Sequence, residues 1–195
     1  MFIDVSHLQG AIDWAKVASN IIPIEGVYIK ATQGVNFLDP HLVINSQGAN
    51  SNGIKIGYYH FASLDTSDVV TDATNEANWF IANVKKCAVN TLPLVLDMET
   101  NKASLPKDKI LLWAQTFFAR LGNLGYSNYM LYSYTPFLDV NLPADHNLGN
   151  IPLWIAAYSS SYKLPHGWSK AFMWQYSANG SVQGITTHVD LNKLV

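Results

Sequence analysis

The run Pro93-Leu94-Val95-Leu96, apolar without interruption, restricts the fold of this chain more than any other feature. A strand with one face in water alternates apolar and polar residues. An unbroken apolar strand needs cover on both faces, the condition met in parallel sheets flanked by helices. Comparable β-rich runs at Phe2 to Val5, Gly26 to Ala31, Ile54 to Phe61, Leu92 to Met98, Tyr129 to Tyr134, Leu153 to Tyr158, Ala171 to Tyr176 and Val189 to Leu191 give eight candidate strands.

Helical patterns lie between the early strands. Ile110, Trp113, Ala114, Phe117, Phe118 and Leu121 follow a spacing of three and four that lines one helical face, with Gly122 and Gly125 expected to stop it. Asp39-Pro40 reads as a cap and first-turn proline opening a helix toward Ala49, and Asn75 to Val84 offers Trp79, Phe80 and Val84 as a buried face. The connections Ser159 to Lys170 and Ser177 to His188 are rich in Ser, Gly and Asn and have no helical period. The expectation is an α/β fold, a modified and incomplete TIM-like (β/α) barrel of eight strands and about four to five helices, with room for antiparallel strands on its far side. With 195 residues, a single domain over 1–195 is expected.

Charge and motif content remove several function classes. Only 13% of residues are charged, the formal net charge is -2, and the lysines are scattered, so nucleic acid is not an expected partner. Cys87 is the single cysteine and cannot form an intrachain disulfide. The first residues lack the basic and apolar pattern of a cleavable signal, which points to synthesis in a reducing cytoplasm. No run approaches the roughly 20 apolar residues of a membrane span. The histidines are dispersed with no His-Glu-x-x-His, so no metal and no other cofactor is expected; a Gly-x-Ser-x-Gly elbow and a glycine-rich phosphate loop are also missing. A monomer is expected.

In a barrel of this kind chemistry collects at the carboxyl ends of the strands. Asp4 ends the first run, Thr32 and Gln33 the second, Tyr59 and His60 the third, Asp97 and Glu99 the fourth, Tyr132 the fifth, Tyr158 the sixth and Gln175 the seventh, while Asp190 lies in the eighth. Asp97-Met98-Glu99 is the most informative triplet. Residues two apart on a strand face the same way, with α-carbons roughly 6.6 Å apart at about 3.3 Å per residue. Both carboxyls can then face one reacting group. Since two such close groups do not ionise independently, Glu99 is expected to have a raised pKa and donate a proton while Asp97 stays charged. A lone Asp-x-Glu after a strand reads better as a turn or cap; the apolar run before it and the acids at other strand ends favour chemistry.

Asp4 and Asp190 should meet beside this pair where the first and last strands close the barrel, although each alone reads equally as a loop cap. Trp154, Trp174, Tyr59, Tyr132 and Tyr158 are candidate stacking walls for sugar rings. Trp14, Trp79 and Trp113 read as core, and His7 and His60, beside aromatic residues, as packed rather than catalytic.

These residues carry a resemblance. Asp4-Val5-Ser6-x-x-Gln9-Gly10, Lys30-Ala31-Thr32-x-Gly34, Gly57-x-Tyr59-His60-Phe61, Asp97-x-Glu99, Leu153-Trp154-x-Ala156-x-Tyr158, Trp174-Gln175-Tyr176 and Val189-Asp190-x-Asn192, in this order across essentially the whole chain, resemble glycoside hydrolase family 25. That group comprises the N-acetylmuramidases of phage endolysins and bacterial autolysins. The resemblance implies cleavage of the β-1,4 bond between N-acetylmuramic acid and N-acetylglucosamine in peptidoglycan, with Glu99 as general acid and later base. It also implies that Asp97 assists attack by the sugar's own acetamido group, with retention. Asp4 and Asp190 would belong to the acidic floor, and Tyr59, Tyr132, Trp154, Tyr158, Trp174 and Gln175 to the sugar-binding groove.

One place departs from the pattern: the family commonly reads Lys-Ala-Thr-Glu-Gly where this chain has Gln33, which keeps the hydrogen-bonding shape and drops the charge. An altered pH dependence is expected, and Gln33 is not counted among the catalytic residues. Two other readings use the same residues: a family 18-like chitinase or N-acetylglucosaminidase, whose fuller Asp-x-x-Asp-x-Asp-x-Glu signature is missing, and a wall-binding module without turnover, which intact Asp97 and Glu99 oppose. Without a leader, access to the wall would follow release, as for a phage endolysin.

Overall fold

Alternation along the strands divides the apolar residues of this chain between two cores. In the computed structural model, which describes residues 1–195, the strands are β1 (Phe2–Val5), β2 (Gly26–Gln33), β3 (Phe37–Leu38), β4 (Lys55–Phe61), β5 (Leu94–Asp97), β6 (Tyr129–Ser133), β7 (Leu153–Ala156), β8 (Met173–Gly180) and β9 (Val189–Leu194). Phe2, Tyr28, Val95, Met130, Tyr132, Trp154 and Met173 point into the space the sheet encloses. Leu94, Leu96, Met98, Leu131, Leu153 and Ile155 point the other way and join a core of 43 buried residues beneath the helices. The unbroken apolar run at Leu94 to Leu96 is thus buried on both faces, which is why it does not alternate.

Eight of the strands close into a barrel in the order β1-β9-β8-β7-β6-β5-β4-β2, sealed by parallel pairing of β1 with β2. Strands β2 and β4 to β8 continue in parallel, while β9 runs antiparallel to both β8 and β1. The short β3 folds back on the end of β2 as a ninth strand outside the ring. Five helices accompany them: α1 (Trp14–Ala18), α2 (Leu42–Ser51), α3 (Val69–Val84), α4 (Lys107–Asn123) and α5 (Thr135–Asn141). No helix joins β7 to β8 or β8 to β9, so the modified, incompletely helical barrel expected from the sequence is the observed one. None of the helices is long and apolar enough to cross a membrane.

The helix boundaries differ from expectation in physically informative ways. The six residues spaced along α4 are all buried as the pattern demands. Gly122, however, lies inside that helix. The stop is Gly125, whose φ of 90° lets the Tyr126 amide turn back to the Leu121 carbonyl at 3.0 Å. Helix α3 starts at Val69 rather than Asn75, its first turn fixed by Asp68 Oδ1 accepting from the Thr71 amide. Asp39 does not cap the following helix: α2 begins at Leu42 without a side-chain cap. The Asp39 carboxylate instead accepts from the amides of His41 (2.9 Å) and His7 (3.1 Å) and lies 2.7 Å from His7 Nδ1. It ties the loop after β1 to the loop after β3. Strand β8 runs on to Gly180, past Tyr176, because its antiparallel partner β9 supplies a longer ladder than a parallel crossover would.

Gly57 is required by close approach. A β-carbon there would stand 2.3 Å from Cε1 and 2.4 Å from Cδ1 of Tyr28, so the glycine makes the room in which that ring fills the base of the lumen.

Candidate active site

The parallel ladder carries on beyond the formal end of β5: the Met98 amide donates to Tyr132 O at 3.0 Å, and the Ser133 hydroxyl donates to Met98 O at 2.6 Å. Met98 is therefore held outward with no exposure, and Asp97 and Glu99 on either side of it face the lumen together. The same-facing arrangement read from Asp-x-Glu is the one observed. On the opposite wall, Asp4 and Asp190 are direct partners across the antiparallel β1–β9 pair, and they open into the same cavity.

Two buried amides organise this floor. Gln175, almost fully buried, accepts at Oε1 from the hydroxyls of Tyr132 (2.7 Å) and Tyr158 (2.8 Å) and donates from Nε2 to Asp4 Oδ2 (3.0 Å). Asn192 accepts at Oδ1 from Trp154 Nε1 (2.9 Å) and donates from Nδ2 to Asp4 Oδ2 (2.8 Å). Trp154 and Tyr132 meet edge to face at 4.9 Å between ring centroids. The sheet strands thus hold Asp4 by two fixed donors, and the aromatic residues around it by their polar ends.

Burial controls the ionisation of all four acids. Asp97 is pushed well above the ordinary carboxylate range by desolvation and then by the neighbouring Glu99 charge. Glu99 is raised chiefly by desolvation, and a hydrogen bond with Asp97 partly offsets the rise. Asp97 Oδ1 is buried without a hydrogen-bond partner, and the two carboxyls stand too close to ionise independently. Asp4 and Asp190 form a second such pair, both raised mainly by desolvation, with Asp4 further raised by the charge of Asp190. The expectation of one raised acid beside a freely ionised Asp97 therefore gives way to a pair in which burial raises both carboxyls.

Lys30 is the single cation lining this pit, and it had not been singled out as a site residue. Its Nζ donates to Gln33 Oε1 at 2.9 Å and lies 5.0 and 5.5 Å from the ring centroids of Phe61 and Phe37. Desolvation lowers its pKa, and the charges of Asp97, Asp39 and Glu99 oppose that fall. Strand alternation from Tyr28 would have flagged Lys30 as lumen-facing. It would also have sent Thr32 the same way, but a register shift between Lys30 and Thr32 turns Thr32 outward.

There Thr32 Oγ1 meets His60 Nδ1 at 2.8 Å, and His60 Nε2 lies 2.6 Å from Glu76 Oε2 of α3, all three fully buried. Desolvation depresses His60 to about 3 and raises Glu76 to about 8, so the pair is neutral, a carboxylic acid donating to an imidazole. His60 is packed against Phe117 and not aimed at the site, in keeping with its reading as a core histidine.

The cavity is in two connected parts. A pit of about 170 Å³ holds Asp4, Asp97, Asp190 and Lys30, with half-buried Tyr59 and exposed Leu8 at its wall. A groove of about 800 Å³ runs from it over Tyr134, Tyr158 and Tyr162 to Asp139 and Lys163. Glu99 and Tyr132 line both. Tyr158, 60% exposed, is a true groove wall. Trp154 and Gln175 are floor, buried below any ring-stacking position. Trp174 is not brought to the groove: its indole lies on the outer face of β8, donates to Ala157 O at 2.8 Å, and packs on Tyr162 and Tyr176 with Lys193 Nζ 4.5 Å from its centroid. Asn192, like Lys30, was missed as a site residue. Its signal was its place two residues beyond Asp190 on one strand. No group of three or more His, Cys, Asp or Glu side chains is arranged to hold a metal ion.

A barrel whose carboxyl end carries paired carboxyls with raised proton affinity at the edge of an open aromatic groove is the architecture of a glycoside hydrolase. Comparison with known proteins agrees: glycosyl hydrolases family 25 matches residues 3–185, and the chain belongs to that family. It is 32% identical over 200 residues to Lysozyme M1 of Streptomyces globisporus, covering 98% of this chain and 66% of that protein. It is 31% identical over 191 residues to the autolytic lysozyme of Clostridium acetobutylicum, covering 98% of this chain and 54% of that one. The bacterial lysozyme of Streptomyces coelicolor superposes with a TM-score of 0.88 at 32% identity, covering 98% of this chain and 90% of the other.

Proposed function

We propose that this chain is a muramidase that hydrolyses the β-1,4 bond between N-acetylmuramic acid and N-acetylglucosamine in bacterial peptidoglycan. The observation that carries this reading is the placement of Asp97 and Glu99 on one face at the end of β5, with Glu99 on the boundary between pit and groove. Lysozymes from two Streptomyces species and an autolytic lysozyme among the relatives support it. The sugar whose anomeric carbon reacts sits over Asp97 in the pit, and Glu99, protonated because burial raises its pKa, gives its proton to the bridging oxygen.

The acetamido carbonyl of that sugar attacks its own anomeric carbon as the bridging C–O bond breaks. Asp97, left as the carboxylate when the pair's proton goes to Glu99 and from it to the bridging oxygen, orients the acetamido N–H and stabilises the positive oxazolinium. Glu99, now a carboxylate, takes a proton from water, which opens the ring with net retention. Asp4 and Asp190 keep the floor acidic. Tyr59, Tyr132 and Tyr158 border the sugar. The site of action is the cell wall, reached after release from the producing cell.

The test is clearance of Gram-positive walls by wild type and Glu99→Gln, with identification of the new reducing end. Loss of activity by about 10²- to 10⁴-fold and muramic acid at the new end are expected. Glucosamine at the new end, or activity retained by Glu99→Gln, overturns the reading. Walls that sediment with a wild-type protein incapable of cutting them would identify a binding module.

A further inference from the structure

Beyond Glu99 the groove ends in a charge that the chain itself leaves unmatched. Lys163 is exposed, and its ammonium makes no hydrogen bond or ion pair within the protein. Its backbone, by contrast, is fixed: the Thr135 hydroxyl at the start of α5 donates to Lys163 O, and nearby the Ser159 hydroxyl donates to Ser161 O. The acid facing the same groove does not compensate it. Asp139 Oδ1 accepts from the His166 amide at 2.9 Å and stands 3.9 Å from the His166 ring.

The direction of the bound strand follows from the two connected cavities. The reacting sugar must lie over Asp97 in the pit, and the acid must reach the oxygen between the two sugars. Glu99 lines both cavities, so the departing strand leaves through the groove along Tyr134, Tyr158 and Tyr162. The acetamido and hydroxyl groups of the sugar rings are neutral. In such a strand, negative charge comes from carboxylates on the 3-O-lactyl branch of the muramoyl residues, either the free lactyl group or a peptide attached to it.

We propose that Lys163 is a specificity residue that pairs with a carboxylate on the lactyl branch of a muramoyl residue in the departing strand. The groove thereby selects muramoyl glycan over a polymer of N-acetylglucosamine alone. This inference rests on the muramidase reading above. It asks for a pair at the water-exposed end of the groove, so its contribution is modest and sensitive to salt.

Initial rates of the purified enzyme on three soluble substrates test it: uncross-linked glycan bearing peptides, the same glycan after an amidase has exposed the lactyl carboxylates, and chitin oligomers. Lys163→Gln is expected to raise KM about two- to fivefold on muramoyl substrate, with kcat held within about twofold, and to flatten the dependence of KM on salt. Lys163→Arg is expected to restore wild-type KM. An effect on the amidase-treated glycan identifies the lactyl carboxylate as the partner; an effect confined to the peptide-bearing glycan identifies a peptide carboxylate. The proposal is overturned if KM is unchanged on both muramoyl substrates or rises equally on chitin oligomers. Faster cleavage of chitin oligomers than of both glycans by the wild type would instead remove the muramidase reading itself, whatever Lys163 does.

Discussion

The 2.9 Å hydrogen bond from Lys30 Nζ to Gln33 Oε1 holds the one cation of the acidic pit against a neutral partner. The shift in register between Lys30 and Thr32 brings residue 33 back to the side of residue 30, where strict alternation would have separated them. The positive charge of Lys30 is therefore not spent on a neighbour in its own strand. It acts on Asp97 and Glu99, both of whose pKa values it lowers against the larger effect of burial.

Gln33→Glu should weaken that support. The new carboxylate would neutralise Lys30 locally, and loss of a nearby positive charge raises the pKa of a carboxyl. Asp97 and Glu99 should then rise together, and both limbs of the profile of kcat/KM against pH should move to higher pH. Asp4, Asp190, Asp39, Tyr59, Tyr132 and Lys102 also face this region and are unchanged in the variant. A profile that superposes on that of the wild type would show that Lys30 does not tune the pair.

Asn192→Ala removes a buried donor from Asp4 and the acceptor of the Trp154 indole in one step. Leaving such groups unpaired costs about 1–3 kcal/mol, to be read from denaturant unfolding. Because the lost bond lowers the pKa of Asp4, that group should bind its proton more tightly in the variant. Full wild-type stability would mean that water replaces the amide.

Phe117→Ala probes the outer core. The ring is wholly buried, stacked 5.4 Å from Trp113 and 5.3 Å from His60 between centroids. A loss of about 3–5 kcal/mol in unfolding free energy is expected. A cost below about 1 kcal/mol would mean that the helix layer repacks freely.

Glu76 makes stability fall with pH. Its folded pKa, about 8, lies above its ordinary 4.5, so the folded state holds a proton that the unfolded state releases; this contribution is complete below 4.5 and lost as pH rises through 8. His60, depressed from 6.5 to about 3, acts on the other side, its contribution lost as pH falls from 6.5 toward 3. Glu76→Gln retains a donor for His60 Nε2 and an acceptor for the Ser63 amide, and should flatten the decline in Tm between pH 5 and 8 while leaving the acid side in place. An undiminished decline in the variant would assign it to other groups.

The eight barrel strands, the two-sided burial of Leu94 to Leu96 and the shared face of Asp97 and Glu99 were legible in local residue order, because strand periodicity is two and needs no knowledge of distant neighbours; the two-residue β3 was too short to show a period. The buried stripe of α4 was equally local. What only the closed barrel decided is which residues distant in sequence share an environment. Asp4 and Asp190 became partners through the β1–β9 pairing, Glu76 met His60 across the helix layer, and Trp174 turned to the outer face while Gln175 beside it became the floor. Depth was also set there. Asp97 and Glu99 look alike in sequence, yet Asp97 is buried and Glu99 only partly so, because burial depends on how far each lies below the rim, a property of the assembled walls.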